Sequence, residues 1–296
     1  MYNFKKEHEC NLCCSTKDNH RYIGRRFNKS QGFFLKKTVN DIYTNVYFCM
    51  KCNTIFSNPI PIPNNHFKRY EVLDSSQMLN FNNNMFTDEL AIIKKYIKKQ
   101  NIKFLDIGCG NGYLLNKLYN LNYDVYGIEP VKKFYEICIK KFPFLKNKIS
   151  NKTIENFEFN KIQFDVISFN SVLEHLINPS EQINLIMNYL KPGGIIHIEV
   201  PHSNWLIAKI INFFKKLTFQ NNVTNLSPMH PPYHYFEFSK KSFEMNGIIN
   251  NYKVIDYYFR VSEIEYKIPL IIKKILYFIM LKTNSQKQLI IFIKKL

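Results

Sequence analysis

A glycine-rich turn directly after a short apolar run is the feature that most restricts what this chain can fold into. The turn occupies Leu105–Gly112 and reads LDIGCGNG. Glycines let the backbone turn sharply and approach a ligand closely, and a following helix supplies unpaired N–H groups to that ligand. The stretch therefore predicts a strand, a ligand-binding turn and a helix, in that order. Taken alone, the pattern also fits dinucleotide-binding enzymes and tightly packed turns that bind nothing.

Strand and helix patterns alternate from Thr87 to the end of the 296-residue chain. Short apolar runs predict the strands, which are residues 103–107, 124–128, 164–169, 195–200, 252–259 and 289–293. Between them, apolar residues recur at helical spacing, as in residues 131–142. This alternation predicts an α/β fold, in which helices cover both faces of a mostly parallel sheet. Ligands bind at the carboxyl ends of the strands of such sheets.

An acidic residue stands at the end of the second predicted strand. Glu129 lies 17 residues after Gly112 and is followed by Pro130. A carboxylate in this place can accept hydrogen bonds from both hydroxyls of an adenosine ribose. The turn and the acid together predict a site for a cofactor that contains adenosine.

Four motifs in a fixed order carry a family resemblance. They are the glycine turn, the acid that ends the next strand, FDVISFNSVLEHL at residues 164–176, and LKPGG at residues 190–194. In this order they resemble the class I S-adenosylmethionine-dependent methyltransferases. The subgroup with ubiquinone-pathway O-methyltransferases and bacterial sugar and small-metabolite methyltransferases is the most similar. The resemblance covers about residues 87–296 and implies a Rossmann-like sheet of seven strands.

The resemblance also implies which residues bind S-adenosylmethionine. The glycine turn would line the methionine part, Glu129 would hold the ribose, Ile154 would flank the adenine, and Asn170 would lie near the sulfur or amino group. The full set of implied cofactor residues is Asp106, Gly108, Cys109, Gly110, Gly112, Glu129, Pro130, Ile154 and Asn170. For Asn170, a simple role in the turn stays open as an alternative.

Two histidines are candidates for a catalytic base. A hydroxyl acceptor must lose its proton during methyl transfer, and histidine is the side chain that most often accepts a proton near neutral pH. His175 follows the fourth predicted strand, and His234 lies in the stretch HPPYHYFEFS. His202, after the fifth strand, is a third placement. For both leading candidates a purely structural role is the alternative.

Four cysteines in two pairs predict a zinc site. Cys10 and Cys13 form one Cys-x-x-Cys pair, and Cys49 and Cys52 form the other. Two such pairs present four thiolates to one tetrahedral ion. Cys14 offers a weaker alternative ligand. A similar four-cysteine module precedes the methyltransferase domain in sugar-modifying relatives. We therefore expect a zinc-ribbon-like module at residues 1–60, a linker or cap at 61–86, and the Rossmann-like domain at 87–296, with the zinc structural rather than in contact with substrate.

Charge and hydropathy narrow the classes of partner. The net charge is +18, but only five of the 41 basic residues are arginines, which favours lysines that solvate helix faces over a nucleic-acid partner. We find no secretory signal and no run of about 20 apolar residues, so a cytoplasmic protein with reduced cysteines is expected. Residues 267–281 predict a basic amphipathic helix that packs on the sheet, closes over the site or touches a membrane surface.

These observations lead to one expected function and two rivals. We expect methyl transfer from S-adenosylmethionine to a hydroxyl of a sugar, sugar nucleotide or surface-polysaccharide precursor. The substrate class follows from the resemblance alone. One rival is an RNA methyltransferase whose zinc ribbon binds RNA, but the chain has no arginine–aromatic alternation suited to stacking bases. The other rival is a catalytically inactive cofactor-binding scaffold, which the intact glycines and Glu129 disfavour.

Overall fold

The computed structural model describes residues 2–27, 43–64, 86–157, 159, 162–226, 234–262, 264 and 268–296. In chain order, the strands are β1 Tyr2–Lys5, β2 His20–Phe27, β3 Tyr43–Cys49, β4 Ile55–Ser57, β5 Ile60–Pro63, β6 Lys103–Ile107, β7 Asp124–Ile128, β8 Ile149–Ser150, β9 Phe164–Asn170, β10 Leu190–Pro201, β11 Phe236–Glu237, β12 Tyr252–Arg260 and β13 Gln288–Lys295. The α-helices are α1 Thr87–Tyr96, α2 Tyr113–Tyr119, α3 Lys132–Lys141, α4 Pro179–Met187, α5 Leu206–Leu217, α6 Lys240–Asn250 and α7 Leu270–Thr283.

Seven strands form the central sheet in the order β12-β13-β10-β9-β6-β7-β8. The strands β10, β9, β6, β7 and β8 are parallel to one another, whereas β13 runs antiparallel to both β10 and β12. The carboxyl ends of β6, β7, β9, β10 and β12 therefore lie at one edge of the sheet. The prediction of an α/β fold with a large, mostly parallel sheet is confirmed.

Both faces of this sheet are covered by helices. Because side chains alternate along a strand, neighbouring residues enter different cores. Phe104 of β6 packs with residues of α1, α2 and α3, whereas Leu105 belongs to the core that includes α4 and α6. The same alternation separates Val125 from Tyr126 and Ile195 from Ile196. Two buried cores, one on each side, thus hold the sheet in place.

The N-terminal residues form two smaller sheets that are joined to the rest of the chain. The strands β1 and β5 pair with each other, and β2, β3 and β4 pair with β11 in the order β11-β4-β3-β2. Since β11 comes from residues 236–237, the module is completed by a distant part of the sequence. The β5 strand extends to Pro63, and most of the predicted linker at 61–86 lies outside the described residues.

Some predicted element ends differ from those in the structure. Asn178 precedes α4, but its side chain bonds to the Glu181 carboxylate and not to the backbone, so no capping box forms. The breaker residues of LKPGG predict the end of that helix, but the stretch belongs to β10, where the pairing register shifts between Leu190 and Ile195. The sequence also predicts Thr87 as the N-terminal cap of a helix, whereas Thr87 is the first residue of α1.

The helices α5 and α7 pack against each other near the sheet edge. A separate small core joins Ile207 of α5, Ile264 and Met280 of α7. Of the fourteen residues of α7, Met280 is the one that is buried. The described residues contain no helix of the length and hydropathy needed to cross a membrane.

Candidate active site

The glycine turn lies between β6 and α2 and has a left-handed backbone at each glycine. The φ angles of Gly108, Gly110 and Gly112 are 69°, 55° and 78°, a region that disfavours residues with a Cβ. A Cβ on Gly112 would lie closer than 3.0 Å to the Cys138 sulfur, and a Cβ on Gly108 would lie 2.7 Å from Val172 Cγ2. The turn is therefore packed against α3 on one side and against the residues after β9 on the other.

Glu129 is buried at the end of β7 and is bonded to the glycine turn. Its Oε2 accepts a hydrogen bond from Gly110 N at 2.8 Å, and its Oε1 accepts one from Val131 N at 2.8 Å. Each oxygen keeps a further lone pair that can accept from a ribose hydroxyl. Burial raises the pKa of Glu129 to about 7, although the two amides oppose this shift. Pro130 follows and is half-buried.

Asp106 lies next to Glu129 and has an oxygen without a hydrogen bond. Its Oδ1 is fully buried and meets no donor among the described residues. Burial first, and the Glu129 charge second, raise the pKa of Asp106 to about 8. A buried acceptor without a donor is unfavourable, so a ligand or water that donates a hydrogen bond would stabilise it. The acceptor oxygens of Asp106 and Glu129 fit S-adenosylmethionine, which carries hydroxyl and ammonium donors.

The other predicted cofactor residues lie near this turn or at the same edge. Cys109 is buried in the helix-covered core, and its N–H donates to Ile128 O at 3.0 Å. Ile154 is buried after β8. Asn170 ends β9 opposite Glu199 of β10 and is half-buried. The structure thus brings residues from β6, β7, β8 and β9 to one edge of the sheet.

His175 and His234 meet although 59 residues separate them in sequence. Their ring centroids are 4.7 Å apart, in an edge-to-face arrangement. The peptide N–H of Tyr235 donates to Glu174 O at 2.7 Å and fixes the His234 segment beside the short helix Leu173–His175. His234 Nε2 lies 4.0 Å from the Glu174 carboxylate.

Glu174 is the buried member of this cluster. Glu174, His175 and His234 each offer one possible ligand atom, and these three atoms lie within 4.8 Å of one another. Burial raises the pKa of Glu174 to about 8. Its Oε2 is buried and accepts no hydrogen bond among the described residues. The cluster can therefore exchange protons or hold a cation, and we refer to it as the Glu–His–His cluster.

Two other ionisable residues from the sequence analysis lie away from this cluster. His202 is buried, its Nδ1 lies 3.1 Å from Gln286 O, and burial lowers its pKa to about 4. Asp165 lies at the amino end of β9, where it accepts a hydrogen bond from Lys103 N and pairs with Lys99 and Lys191. Asp165 is therefore at the edge of the sheet opposite to the glycine turn and is not a candidate base.

A buried ion-pair network at the same sheet edge was missed by the sequence analysis. Arg260 at the end of β12 pairs with Glu89 of α1 and, at 2.8 Å, with Glu199 of β10. The Tyr258 hydroxyl donates to Glu89 Oε1 at 2.8 Å. One feature of the sequence pointed to this network, namely Glu199 inside the apolar run IIHIEV. An acid in a buried strand needs a partner, because an unpaired buried charge is unfavourable.

The four paired cysteines converge at one point. The sulfur atoms of Cys10 and Cys52 are 3.5 Å apart, those of Cys13 and Cys49 are 3.6 Å apart, and all four lie within 4.8 Å of one another. Tetrahedral zinc with bonds of about 2.3 Å places its sulfurs roughly 3.8 Å apart, so the cluster fits that ion. Ser15 and Thr54 contact the sulfurs, and Cys14 is exposed outside the cluster.

Comparison with known proteins gives one family. A family model described as a methyltransferase domain matches residues 81–255, more than half of the chain. The mitochondrial ubiquinone biosynthesis O-methyltransferase of Dictyostelium discoideum is 31% identical over 139 residues, covering 40% of this chain and 43% of that protein. The ubiquinone biosynthesis O-methyltransferase of Pelagibacter ubique is 32% identical over 140 residues, covering 46% of this chain and 57% of that protein. The chain thus spans about half the length of these relatives.

Solved structures resemble this chain at lower identity. The structure described as S-adenosylmethionine-dependent methyltransferases from Methanosarcina mazei has a TM-score of 0.48 and 17% identity, covering 69% of this chain and 97% of that one. An S-adenosylmethionine-dependent methyltransferase from Archaeoglobus fulgidus has a TM-score of 0.46 and 18% identity, covering 72% and 95%.

Proposed function

Because the chain belongs to the S-adenosylmethionine-dependent methyltransferase family, we propose that it transfers a methyl group to a hydroxyl of a small acceptor. One observation supports this proposal most strongly. The glycine turn with Glu129 and the Glu–His–His cluster lie at the same edge of the sheet, joined where Gly108 packs on Val172. A cofactor site and a candidate base are therefore neighbours.

Glu129, Asp106 and the glycine turn would hold the cofactor. The Glu129 carboxylate would accept hydrogen bonds from the ribose hydroxyls, and the buried Asp106 Oδ1 would accept one from the ammonium group directly or through a water. S-adenosylmethionine, when bound, supplies a methyl group on a positively charged sulfur. Ile154 and Asn170 would border the adenine and methionine ends, as the family resemblance implies.

The histidines would remove the acceptor's proton. A sugar hydroxyl is a weak nucleophile until a base takes its proton, and a positioned base accelerates such a step about 10²–10⁴-fold. His175 or His234 would accept that proton at a ring nitrogen. Glu174, 4.0 Å from His234 Nε2, would favour the imidazolium when its own carboxyl is ionised. The residues thus align the acceptor and move one proton, while the methyl donor provides the electrophile.

We propose a structural zinc ion for the four cysteines. The cysteine module is docked on the segment that carries His234 and the start of α6. Cys52 O accepts hydrogen bonds from the Ser239 hydroxyl at 2.8 Å and the Ser242 hydroxyl at 3.2 Å, and Leu12 O accepts one from Asn246 Nδ2 at 3.1 Å. Zinc would fix the two cysteine turns and, through these bonds, the acceptor side of the site.

The acceptor class rests on two different observations. The resemblance of the cysteine module and of the stretch HPPYHYFEFS at residues 230–239 to sugar-modifying methyltransferases favours a sugar or surface-polysaccharide precursor. The relatives named as O-methyltransferases of ubiquinone biosynthesis favour a hydroxyl of a compound from that pathway instead. Both acceptors offer a hydroxyl to the same base, so the proposed chemistry does not depend on the choice. A cytoplasmic location stays a prediction.

A labelling experiment tests this function and separates the acceptors. The protein would be incubated with methyl-labelled S-adenosylmethionine and, in parallel, with sugar nucleotides, saccharide extracts, dihydroxybenzoates and total RNA. We expect label in a sugar, and no label with the variant that combines His175→Ala and His234→Ala. Label in a dihydroxybenzoate would change the proposed acceptor from a sugar to a phenol and leave the proposed histidine base unchanged. Label in RNA, or in none of the acceptors, would contradict the proposal.

A further inference from the structure

Two neighbouring helices at the edge of the sheet expose an unusually large apolar surface. On α5, Phe213 is 60% exposed, and Phe219, two residues beyond the end of this helix, is 98% exposed. On α7, Phe278 is 62% exposed. Further exposed apolar side chains of these two helices are Phe214, Leu217, Leu270, Ile271, Ile272, Ile275, Ile279 and Leu281. We call α5 with Phe219, together with α7, the apolar helix pair.

The two helices that carry these exposed side chains share one small core. Ile207 and Ile211 of α5 contact the small core that also contains Leu276, Tyr277 and Met280 of α7. The inner sides of both helices are used for this contact, and the outer sides carry the exposed residues. Single exposed apolar side chains are common on soluble proteins, whereas a contiguous apolar patch marks an interaction surface.

Positive charge surrounds the apolar helix pair, and negative charge is absent from its sequence. No Asp or Glu occurs in residues 200–236 or in residues 266–296, although the chain has 23 acids. Lysines flank the apolar side chains at 209, 215, 216, 273, 274 and 282. Lys209, Lys216, Lys274 and Lys282 are exposed. Apolar residues with lysines beside them are the composition of helices that lie in the surface of an anionic membrane.

The apolar helix pair lies at the same edge as the candidate active site. The α5 helix follows the carboxyl end of β10, and α7 connects the carboxyl end of β12 to the start of β13. Since β6, β7 and β9 end at this edge too, the pair and the cofactor turn face the same end of the sheet. A surface bound through these helices would therefore lie at the same edge of the sheet as the candidate active site.

We propose that the apolar helix pair binds the surface of an anionic lipid bilayer, with its phenylalanines in the interface and its lysines at the lipid headgroups. Charge favours a bilayer over a second protein, because the two helices carry four exposed lysines and no acid. A second copy of the chain would bring two such sets of lysines together, and like charges repel. Neither helix spans a bilayer, so the contact is peripheral.

Vesicle binding without cofactor or acceptor tests this inference separately from the catalytic proposal. The full chain would be sedimented with phosphatidylcholine vesicles and with vesicles that contain phosphatidylcholine and phosphatidylglycerol in equal amounts. We expect binding to the anionic vesicles, which weakens at high salt because lysine–headgroup attraction is screened. The variant with Phe213→Asn, Phe219→Asn and Phe278→Asn should bind at least about tenfold more weakly, since three apolar anchors are lost.

A matched variant shows whether the position of the apolar residues matters. Phe4→Asn, Leu121→Asn and Ile248→Asn remove three exposed apolar side chains from other surfaces. This control should bind anionic vesicles within about twofold of the unchanged protein. The inference is overturned if the unchanged protein does not bind anionic vesicles, or if the control loses as much binding. It is also overturned if light scattering shows a dimer that the phenylalanine variant dissociates while vesicles bind neither protein.

Discussion

Replacing Gly112 by alanine tests how the cofactor turn is packed. The alanine must adopt a φ of 78°, which costs roughly 1–2 kcal/mol for a residue with a Cβ. Its Cβ also meets the buried Cys138 sulfur at less than 3.0 Å. Overpacking in a dense core costs about 1–3 kcal/mol. We therefore expect Gly112→Ala to lower the free energy of unfolding by about 2–5 kcal/mol.

Gly193 provides the matched control for this experiment. Its φ is 81°, nearly the same as that of Gly112, but a Cβ placed there meets nothing within 4 Å. Gly193→Ala should therefore lose only the backbone contribution of roughly 1–2 kcal/mol. The difference between the two variants isolates the contact with Cys138. Urea unfolding followed by circular dichroism at constant pH measures both.

Removing the Cys138 sulfur should rescue the Gly112 variant. In the variant that carries both Gly112→Ala and Cys138→Ala, the new methyl group occupies part of the space that the sulfur leaves. We expect the two changes together to destabilise less than the sum of the single changes, by about 1–3 kcal/mol. If Gly112→Ala unfolds as easily as Gly193→Ala, or if Cys138→Ala brings no rescue, the packing argument for this glycine is wrong.

Three further predictions concern the base, the metal and pH. His175→Ala or His234→Ala, whichever removes the true base, should lower turnover about 10²–10⁴-fold in steady-state kinetics and leave cofactor affinity unchanged. Full activity of both single variants and of the double variant would exclude these two histidines as the base. Elemental analysis should find about one zinc per chain, and Cys10→Ser should lower the melting temperature while the exposed Cys14→Ser does not; equal effects would contradict the four-cysteine site. Cofactor affinity should fall as the pH drops below about 7, because burial raises the pKa of Glu129 to about 7 and its carboxyl becomes protonated there. A protonated carboxyl accepts hydrogen bonds from the ribose poorly. Calorimetric titrations that give the same affinity at pH 6 and pH 8 would refute this prediction.

Much of the central sheet could be predicted from local patterns. The strands at 103–107 and 124–128 are bounded as expected because each is a short apolar run between residues that end a strand. Glu129, which follows the strand at 124–128, lies beside the glycine turn because neighbouring parallel strands end at the same edge of the sheet. Local sequence was sufficient wherever neighbours in the chain are neighbours in the sheet.

Contacts between distant segments could not be predicted in this way. Arg260 and Glu89 are 171 residues apart, and neither residue carries a local mark of its partner. The pairing of β11 with β4 likewise joins residues 236–237 to the cysteine module. The sequence also indicated an amphipathic helix near 267–281, but its packing on the sheet was one of three alternatives. In the structure α7 shares a small core with α5 and leaves most of its apolar residues exposed.

Calorimetric titration with S-adenosylmethionine tests the central claim most directly. The unchanged protein should bind one molecule per chain, and Glu129→Ala should bind about 10- to 150-fold more weakly, because a hydrogen bond to a charged group contributes about 1.5–3 kcal/mol. Glu237→Ala is the control: Glu237 is buried too, burial raises its pKa to about 7, and its carboxylate accepts from the Asn225 amide and from Leu226 N rather than from the glycine turn. Its affinity should match that of the unchanged protein. No binding by the unchanged protein, or equal affinity with Glu129→Ala, would contradict the account.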